Sequence, residues 1–232
     1  MPRVVLVPGF TQTSASWRGV AEIVEASCEV AAIDVPMRDT FTATVTAIGA
    51  RGRHAVYVGY SMGARLCLRL ALDRPDLVRA LVLVSGTAGL SDAGARSERV
   101  ASDEQLARSV ETEGVDVFLE RWLAQPLFAG VPPDAPGLPE RHHLTAVYLA
   151  HCLRVLGVGA IEPMWDRLGE LEMPVALVTG TNDEKYDHLA RLILERLRGD
   201  AVHVRLEGGH ALPLEQPAVL GGFIAAFAAQ HG

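Results

Sequence analysis

The chain has 232 residues, of which 49% are apolar and 21% are charged. These are the proportions of an ordinary globular protein, and they exclude a disordered, collagen-like or low-complexity chain. The 28 acidic residues outnumber the 21 basic ones and give a formal charge of −7, which argues against nucleic acid or an anionic membrane as the main partner. A small anionic ligand is still compatible with this charge, because a few clustered arginines can make one site locally positive.

The cysteines and the N-terminal residues indicate a compartment. Cys28, Cys67 and Cys152 form no CxxC pair and no metal-ligand spacing, so we expect buried free thiols. The first apolar run, Val4 to Val7, is too short for the core of a signal peptide, and no run approaches the roughly 18 apolar residues of a spanning helix. We expect a cytoplasmic protein, monomeric or homodimeric, that binds no membrane, no metal and no organic cofactor.

Six short runs rich in Val, Leu and Ile predict the strands of a parallel sheet. Each run is apolar on both faces, as a strand covered by helices on both sides requires. The runs are Val4–Val7, Val30–Ile33, Ala55–Val58, Leu81–Val84, Val175–Thr179 and Val202–Leu206. Helical patterns between and after them cover Ala64–Leu72, His188–Leu197 and Ala218–Ala229. The alternation predicts a doubly wound α/β sheet.

This rhythm fails between about Gly89 and Pro163, where the patterns are helical. The predicted helices there are Ala95–Glu113, Val115–Leu123 and Arg141–Leu156, with a proline-rich loop from Pro126 to Pro139. We therefore predict two core segments, 1–88 and 164–232, separated by a helical cap at 89–163.

A candidate nucleophile lies where the third predicted strand meets a helix. Gly59-Tyr60-Ser61-Met62-Gly63 is a G-x-S-x-G motif, in which the glycines permit a tight turn that strains the serine and exposes its hydroxyl. The helix that begins there favours negative charge at its N-terminus. A plain strand-to-helix turn is the alternative interpretation of this motif.

A serine hydroxyl reacts only when a histidine accepts its proton and an acid orients that histidine. Asp183 follows the fifth predicted strand, and His210 lies in a glycine-containing loop after the sixth. Asp183 could instead cap the next helix, and Asp187 is a competing acid. His54 and His203 lie within strand patterns and are interpreted as structural.

An oxyanion hole requires two backbone N–H groups facing the serine. Met62 directly follows the serine and supplies the first candidate. The loop after the first strand, Pro8-Gly9-Phe10-Thr11, supplies Phe10 as the second. A simple Pro-Gly turn would explain the same loop.

At these residues the sequence resembles the α/β hydrolases, and within them the family of 2-succinyl-6-hydroxy-2,4-cyclohexadiene-1-carboxylate synthases of menaquinone biosynthesis. The resemblance covers nearly the whole chain, including Gly59 to Arg65, the cap segment Trp122 to Phe128, and Gly180 to Tyr186. It implies an α/β-hydrolase fold with a mostly parallel sheet and a helical cap. Because the sequence begins almost directly at the first parallel strand, we expect no leading antiparallel strands.

The resemblance also implies a reaction and a set of roles. Members of the family are lyases that eliminate pyruvate from a precursor with several carboxylates, and their triad serine acts as a base. Ser61 would be that base, relayed by His210 and Asp183. Arg65, Arg99 and Arg141 would bind substrate carboxylates, and Tyr60 and Trp122 would line the pocket.

The residue chemistry supports Arg65 independently, because a cation in the first turn of a helix opposes the helix dipole. A bound carboxylate would offset that cost through a bidentate contact with the guanidinium. Two alternatives to the lyase stay open. One is a serine hydrolase acting on an ester, a lactone or a C–C bond, and the other is a binding protein without catalytic activity on the same scaffold.

Overall fold

Six strands form one sheet in the computed structural model, which describes residues 1–232. The strands are β1 (Arg3–Val7), β2 (Glu29–Ala32), β3 (Ala55–Tyr60), β4 (Val78–Val84), β5 (Val175–Gly180) and β6 (Ala201–Leu206). They lie in the order β2-β1-β3-β4-β5-β6, and every neighbouring pair is parallel. The predicted α/β class and the parallel sheet are thereby confirmed.

Helices cover both faces of this sheet. The nine α-helices are α1 (Arg18–Val24), α2 (Phe41–Gly52), α3 (Met62–Asp73), α4 (Ala93–Glu113), α5 (Val115–Leu123), α6 (Ala146–Leu156), α7 (Glu184–Leu194), α8 (Leu212–Glu215) and α9 (Pro217–His231). Helices α2, α3 and α7 contribute side chains to one apolar cluster, and α1 and α9 contribute to a second.

The two clusters lie on opposite faces of the sheet because strand side chains alternate. In β1, Val5 and Val7 belong to the first cluster, whereas Val4 and Leu6 belong to the second. The central strands β3 and β5 are buried at every residue, but β2 and β6 are partly exposed because each has only one neighbouring strand. The apolar runs therefore mark the middle of the sheet more clearly than its edges.

The chain between β4 and β5 contains no strand. Helices α4, α5 and α6 pack around a third, smaller apolar cluster whose seven members all lie between Ala107 and Leu153. Asp92 caps α4 by accepting a hydrogen bond from the Ala95 N–H at 2.7 Å. This segment lies against the loop after β1, since Phe10 packs on the same cluster.

Two predicted helix starts are wrong. The last helix of this segment begins at Ala146 rather than Arg141, because Thr145 caps it by accepting from the Tyr148 N–H, and Pro139–His143 form a separate 3₁₀ turn. Helix α7 begins at Glu184 rather than near His188, because Asp183 is its N-cap. Both errors have the same cause: the apolar periodicity does not reveal which polar side chain ends the preceding loop.

All three cysteines are free and buried, as the sequence predicts. None of the helices has both the length and the apolar character needed to cross a membrane.

Candidate active site

Ser61 occupies a sharp turn between β3 and α3. Its φ of 52° and ψ of −105° place a non-glycine residue in the left-handed half of backbone space, which costs free energy and is found where surrounding structure enforces it. The Ser61 N–H donates to the Val84 carbonyl at 2.9 Å, which fixes the turn to the neighbouring strand. The G-x-S-x-G motif therefore forms a strained turn with the serine at its tip.

The two glycines of the motif are required by close backbone approach. A Cβ on Gly63 would lie 2.2 Å from the Val7 carbonyl oxygen, and one on Gly59 would lie 2.4 Å from the Gly63 carbonyl oxygen. Neither contact is sterically allowed for a larger residue. The glycines thus let α3 begin directly against the ends of β1 and β3.

The structure brings Ser61, His210 and Asp183 together in one hydrogen-bonded chain. His210 Nδ1 lies 2.8 Å from Asp183 Oδ2, and His210 Nε2 lies 3.3 Å from Ser61 Oγ. Because the carboxylate only accepts, Nδ1 carries the proton and Nε2 is free to accept the serine proton. The arrangement is that of a nucleophile or base, a proton acceptor and an orienting acid.

Asp183 and Asp187, the two acids considered from the sequence, face different partners. Asp183 accepts from His210 and also caps α7, so the catalytic and capping interpretations describe the same side chain. The Asp187 carboxylate is bound by Arg191 and by Arg205, whose Nε lies 2.8 Å away. Burial disfavours ionisation of Asp187, but the hydrogen bond from Arg191 and the nearby positive charges outweigh it and lower the pKa.

Of the two histidines interpreted as structural, one lies in a strand and is half-buried, whereas the other lies outside the strands. His203 lies in β6, with Nε2 2.8 Å from Thr179 Oγ1. Burial lowers the pKa of His203 despite the nearby Asp187. His54 precedes β3 and is exposed, so its assignment to a strand is wrong.

A second carboxylate, not identified from the sequence, supports the His210 loop. Glu215 accepts hydrogen bonds from the Gly209 N–H at 2.6 Å and the Ala211 N–H at 2.9 Å, the residues on either side of His210. Gly130, in the segment between β4 and β5, lies so close that a Cβ there would be 2.5 Å from Glu215 Oε2. Glu215 therefore lies between the loop that carries His210 and the segment at 89–163 that covers the site, the covering segment.

The two predicted oxyanion donors, Phe10 and Met62, both line the cavity at Ser61. The Phe10 N–H has no acceptor within the protein. Met62 is the first residue of α3, where a backbone N–H has no partner inside the helix. Gly9 lets this loop approach the Tyr60 ring, because a Cβ on Gly9 would lie 2.8 Å from the ring carbons.

The cavity beside Ser61 has a volume of about 380 Å³ and a mixed wall. Its apolar part includes Trp122, Phe128 and Leu153 from the covering segment. Its charged residues are all basic: Arg65, Arg99, Lys185 and the titratable His210 line the wall, and no Asp or Glu does. An anionic ligand would meet no repelling carboxylate there.

Arg65 is placed as the sequence predicts. The residue is only 8% exposed, its Nη2 donates to the Leu156 carbonyl at 2.9 Å, and its buried Nε has no partner. Burial lowers the pKa of Arg65 to about 10. A buried guanidinium with an unpaired donor on a cavity wall favours an acceptor from a ligand.

Arg99 also lies on the cavity wall, but its side chain is 40% exposed. Its Nε donates to Asp103 Oδ1 at 2.8 Å, one helical turn further along α4. Burial raises the pKa of Asp103, and the neighbouring Arg99 offsets only part of that effect. Asp103 therefore holds Arg99 in position without itself reaching the cavity.

Arg141 is not among the residues that line the cavity, and its buried Nε has no hydrogen-bond partner. It is 1% exposed, and its Nη1 donates to Thr11 Oγ1 at 3.3 Å. Burial lowers the pKa of Arg141 to about 10. Because Arg141 belongs to the 3₁₀ turn before α6, its side chain braces the loop that carries Phe10.

Aromatic side chains surround His210 and the oxyanion loop. The ring centroids of Tyr60 and Tyr186 lie 5.4 and 4.4 Å from that of His210. Trp122 packs edge-on against Phe10 at 5.0 Å, and its buried Nε1 has no acceptor. Tyr60 and Trp122 both line the cavity, as the sequence predicts.

The cavity wall also contains residues that were not predicted as site residues, among them the polar side chains of Gln125, Lys185 and Tyr186. Gln125 donates from Nε2 to the Trp122 carbonyl at 2.9 Å. Lys185 and Tyr186 directly follow the acid in the first turn of α7, and that adjacency was the available signal. No group of three or more His, Cys, Asp or Glu side chains is placed to bind a metal.

The fold and the strained serine turn agree with the comparison to known families. The model of the alpha/beta hydrolase family matches residues 4–221, and the chain therefore belongs to that family of enzymes.

Relatives within the family carry a more specific name. The chain is 32% identical over 175 residues to a Bacillus subtilis (strain 168) protein provisionally named 2-succinyl-6-hydroxy-2,4-cyclohexadiene-1-carboxylate synthase, a match covering 73% of this chain and 64% of that protein. It is 27% identical to the synthase of that name from Salmonella agona (strain SL483), over 94% of this chain and 90% of the relative. The match to the PHYLLO protein of Arabidopsis thaliana, at 31% identity, covers 69% of this chain but only 10% of that much longer protein.

A solved structure supports the fold alone. The structure of MenH from S. aureus superposes with a TM-score of 0.88 over 99% of this chain and 94% of that one, at 22% identity.

Proposed function

We propose that the protein is a lyase that eliminates pyruvate from 2-succinyl-5-enolpyruvyl-6-hydroxy-3-cyclohexene-1-carboxylate to give 2-succinyl-6-hydroxy-2,4-cyclohexadiene-1-carboxylate. The observation that carries the proposal is the cavity beside Ser61, whose charged wall residues are all basic. The substrate has three carboxylates, and such a wall attracts them. The names of the Bacillus and Salmonella relatives support the same reaction.

In the proposed reaction, Ser61 acts as a base. His210 Nε2 takes the hydroxyl proton while Ser61 Oγ takes a proton from the ring carbon, and Asp183 stabilises the resulting imidazolium. The electrons of the broken C2–H bond form a double bond between C2 and C3, the existing C3–C4 double bond moves to C4–C5, and the bond between C5 and the enolpyruvyl oxygen breaks. Pyruvate leaves as its enolate and takes up one proton, which restores neutral His210.

Charge that develops during this step needs stabilisation close to Ser61. The N–H groups of Phe10 and Met62 are the proposed oxyanion donors, because they line the cavity and lack helical acceptors. Arg65 and Arg99 are the proposed carboxylate ligands. The strained Ser61 backbone supports the role by keeping the hydroxyl fixed before substrate arrives.

A serine hydrolase is the second candidate, and the hydrogen-bonded chain of Ser61, His210 and Asp183 favours it, since ester hydrolysis uses the same three groups. The two reactions differ in one intermediate. A hydrolase forms an acyl group on Ser61, whereas the lyase forms no covalent bond with substrate.

Release of pyruvate from the purified precursor tests the proposal directly. We expect turnover by the unaltered protein and a loss of more than about 10³-fold in Ser61→Ala, because the base is removed. Intact-mass measurement during turnover should show no adduct. An untouched precursor together with cleavage of p-nitrophenyl esters through an acyl adduct on Ser61 would establish the hydrolase instead.

The anionic character of the substrate is tested with Arg65→Ala. Loss of a buried charged donor should lower kcat/KM for the triacid by roughly 10- to 100-fold, while cleavage of any neutral ester should change little. Arg69→Ala is the matched control, because Arg69 lies one turn further along α3 and pairs with Asp73 instead of lining the cavity. Equal losses on charged and neutral substrates would mean that Arg65 is only structural.

A further inference from the structure

Lys185 is the only lysine in a chain whose other 20 basic residues are arginines, counted from the 21 in total. It lies on the cavity wall, in the first turn of α7 and two residues after the acid that contacts His210. A residue type that occurs once in the chain, and lies on the cavity wall, needs a physical explanation.

The surrounding protein supplies no such reason. A cation in the first turn of a helix opposes the helix dipole, so Lys185 does not stabilise α7. Of the carboxylates nearest to it along the chain, Asp183 is engaged by His210 and Asp187 by Arg191, and the adjacent Glu184 forms no ion pair with it. The Lys185 ammonium makes no hydrogen bond within the protein and lies 5.5 Å from the centroid of the Tyr186 ring.

The neighbours of Lys185 place it next to the cavity and the His210 ring. The Tyr186 ring under the ammonium packs against the His210 ring, with centroids 4.4 Å apart. Lys185 itself is exposed, so it stands at the rim of the cavity, whereas Arg65 is buried at its wall. An ion at the rim, beside the reacting histidine, can meet a ligand carboxylate that faces solvent.

Lysine and arginine differ in how they hold a carboxylate. Guanidinium presents a planar fork that fixes orientation, whereas an ammonium on a flexible four-carbon chain is a hydrated point charge that can follow its ligand. A group at the rim must release its ligand as well as bind it. Lysine is the better choice for that task.

We propose that Lys185 binds the substrate carboxylate nearest the cavity mouth and so supplies the third cation of the wall, beside Arg65 and Arg99. This inference rests on the proposed lyase function. Arg141 donates to Thr11 and does not line the cavity, so that Arg65, Arg99 and Lys185 are the lysine and arginine side chains on the wall, one for each of three carboxylates. Lys185 is thus a specificity-determining residue for an acid with three carboxylates.

The single lysine permits an experiment that few proteins allow. Reductive methylation with ¹³C-formaldehyde labels the α-amino group and Lys185 alone, and Lys185→Arg assigns the two NMR signals by removing one. Tricarballylate, an unreactive acid with three carboxylates, is then titrated into the labelled protein. Binding to the cavity is measured in parallel by calorimetry.

We expect the Lys185 signal to move saturably, with the same Kd that calorimetry gives, and both effects to be lost in Arg65→Ala. Binding by calorimetry with an unmoved Lys185 signal would overturn the assignment of Lys185 and leave the anionic cavity intact. Absence of binding by both methods would overturn the proposed anionic substrate, and Lys185 with it.

Turnover supplies a second readout. Lys185→Gln should raise KM for the triacid by roughly three- to tenfold with little change in kcat, because a partly solvated ion pair is modest in strength. Lys185→Arg keeps the charge and should restore most of the affinity. An unchanged KM in Lys185→Gln would show that Lys185 is merely a solvated surface charge.

Discussion

Glu215 supports the backbone on both sides of His210. Its carboxylate accepts from the N–H groups of Gly209 and Ala211, so both peptide units next to the histidine are held by one side chain. Hydrogen bonds to a charged acceptor are stronger and more directional than neutral ones. Glu215 is therefore a positioning residue, acting through the backbone of the loop.

Replacing Glu215 by Gln should lower kcat by roughly 10- to 100-fold with little change in the Kd for tricarballylate, since misplacing a catalytic group by about 1 Å has effects of that size. An amide offers one acceptor oxygen and turns an NH₂ group toward the second N–H. Glu207→Gln is the control, because Glu207 is exposed in the same loop region. A parallel loss of ligand binding and melting temperature would indicate a general folding defect instead.

Residues of the site differ in how far the sequence could predict them. Ser61 is marked by a local motif, and Asp183 and His210 by their places after the fifth and sixth strands, so chain order alone indicates them. Glu215 and Lys185 carry no such mark, because their roles depend on which backbone or cavity they face after folding. For Arg141, the resemblance to the family implied a contact with a substrate carboxylate. It did not predict that Arg141 would lie in a 3₁₀ turn, with its guanidinium buried and donating to Thr11.

At the scale of elements, an ion-pair network joins α4 and α6 across the segment that covers the site. Arg154 of α6 donates to Glu104 at 2.7 Å and to Glu111 at 2.5 Å, both on α4. Hydrogen bonds from Arg154 and Arg108 lower the pKa of Glu104 to about 2, and Arg154 lowers that of Glu111 as well. These ion pairs hold α4 and α6 together, and both helices contribute residues to the cavity wall.

The sign of the pH dependence follows from the lowered pKa values. A carboxyl whose folded pKa lies below its unfolded value of about 4.5 stabilises the fold above that pH, and the stabilisation is lost as the pH falls toward 2. Arg154→Met should therefore speed hydrogen exchange in α4 at pH 7, and the difference from the unaltered protein should shrink as the pH falls from about 5 to about 2.

The matched control for that variant is Arg74→Met. Arg74 also makes a surface ion pair, with Asp76, but it is more exposed and lies outside the covering segment. It should leave exchange in α4 unchanged at every pH. A pH-independent effect of Arg154→Met would mean that its aliphatic chain, and not its charge, connects the helices.

Elements, like residues, were predictable where local chemistry decides them. Buried parallel strands leave continuous apolar runs, which made the central strands recognisable, and the edge strands β2 and β6 kept enough apolar residues to be predicted as well. Helix starts depend on a single capping side chain, and the predicted starts of α6 and α7 failed at Thr145 and Asp183. The outer helix α4 was predicted to within two residues of its observed start at Ala93, which follows the capping Asp92, and its end at Glu113 was predicted correctly.

For the whole molecule, the net charge of −7 and the basic cavity are consistent with each other. Several acidic residues form ion pairs away from the site, as in the Glu104 and Asp187 clusters. The basic residues on the cavity wall have no acidic partner on that wall. Asp103, which positions Arg99, does not line the cavity. The charged residues on the cavity wall beside Ser61 are thus opposite in sign to the net charge of the whole chain.

The apolar clusters raise the question of whether residues 89–163 unfold as a unit distinct from the core. Leu66 of α3 belongs to the large cluster under the sheet, and Leu149 of α6 belongs to the small cluster of the covering segment; both are fully buried. Either truncation to Ala removes packing worth about 2–5 kcal/mol. What differs is the part of the molecule that each cluster stabilises.

We expect Leu66→Ala to lower the free energy of global unfolding and to speed hydrogen exchange in every strand. Leu149→Ala should speed exchange chiefly in α4, α5 and α6, because the seven residues of its cluster all lie in that segment. Exchange followed by mass spectrometry at peptide resolution distinguishes the two patterns. If Leu149→Ala also accelerates exchange in β3 and β4 to the same degree, the segment and the core form one cooperative unit, and the proposed division at residues 89 and 163 is structural but not thermodynamic.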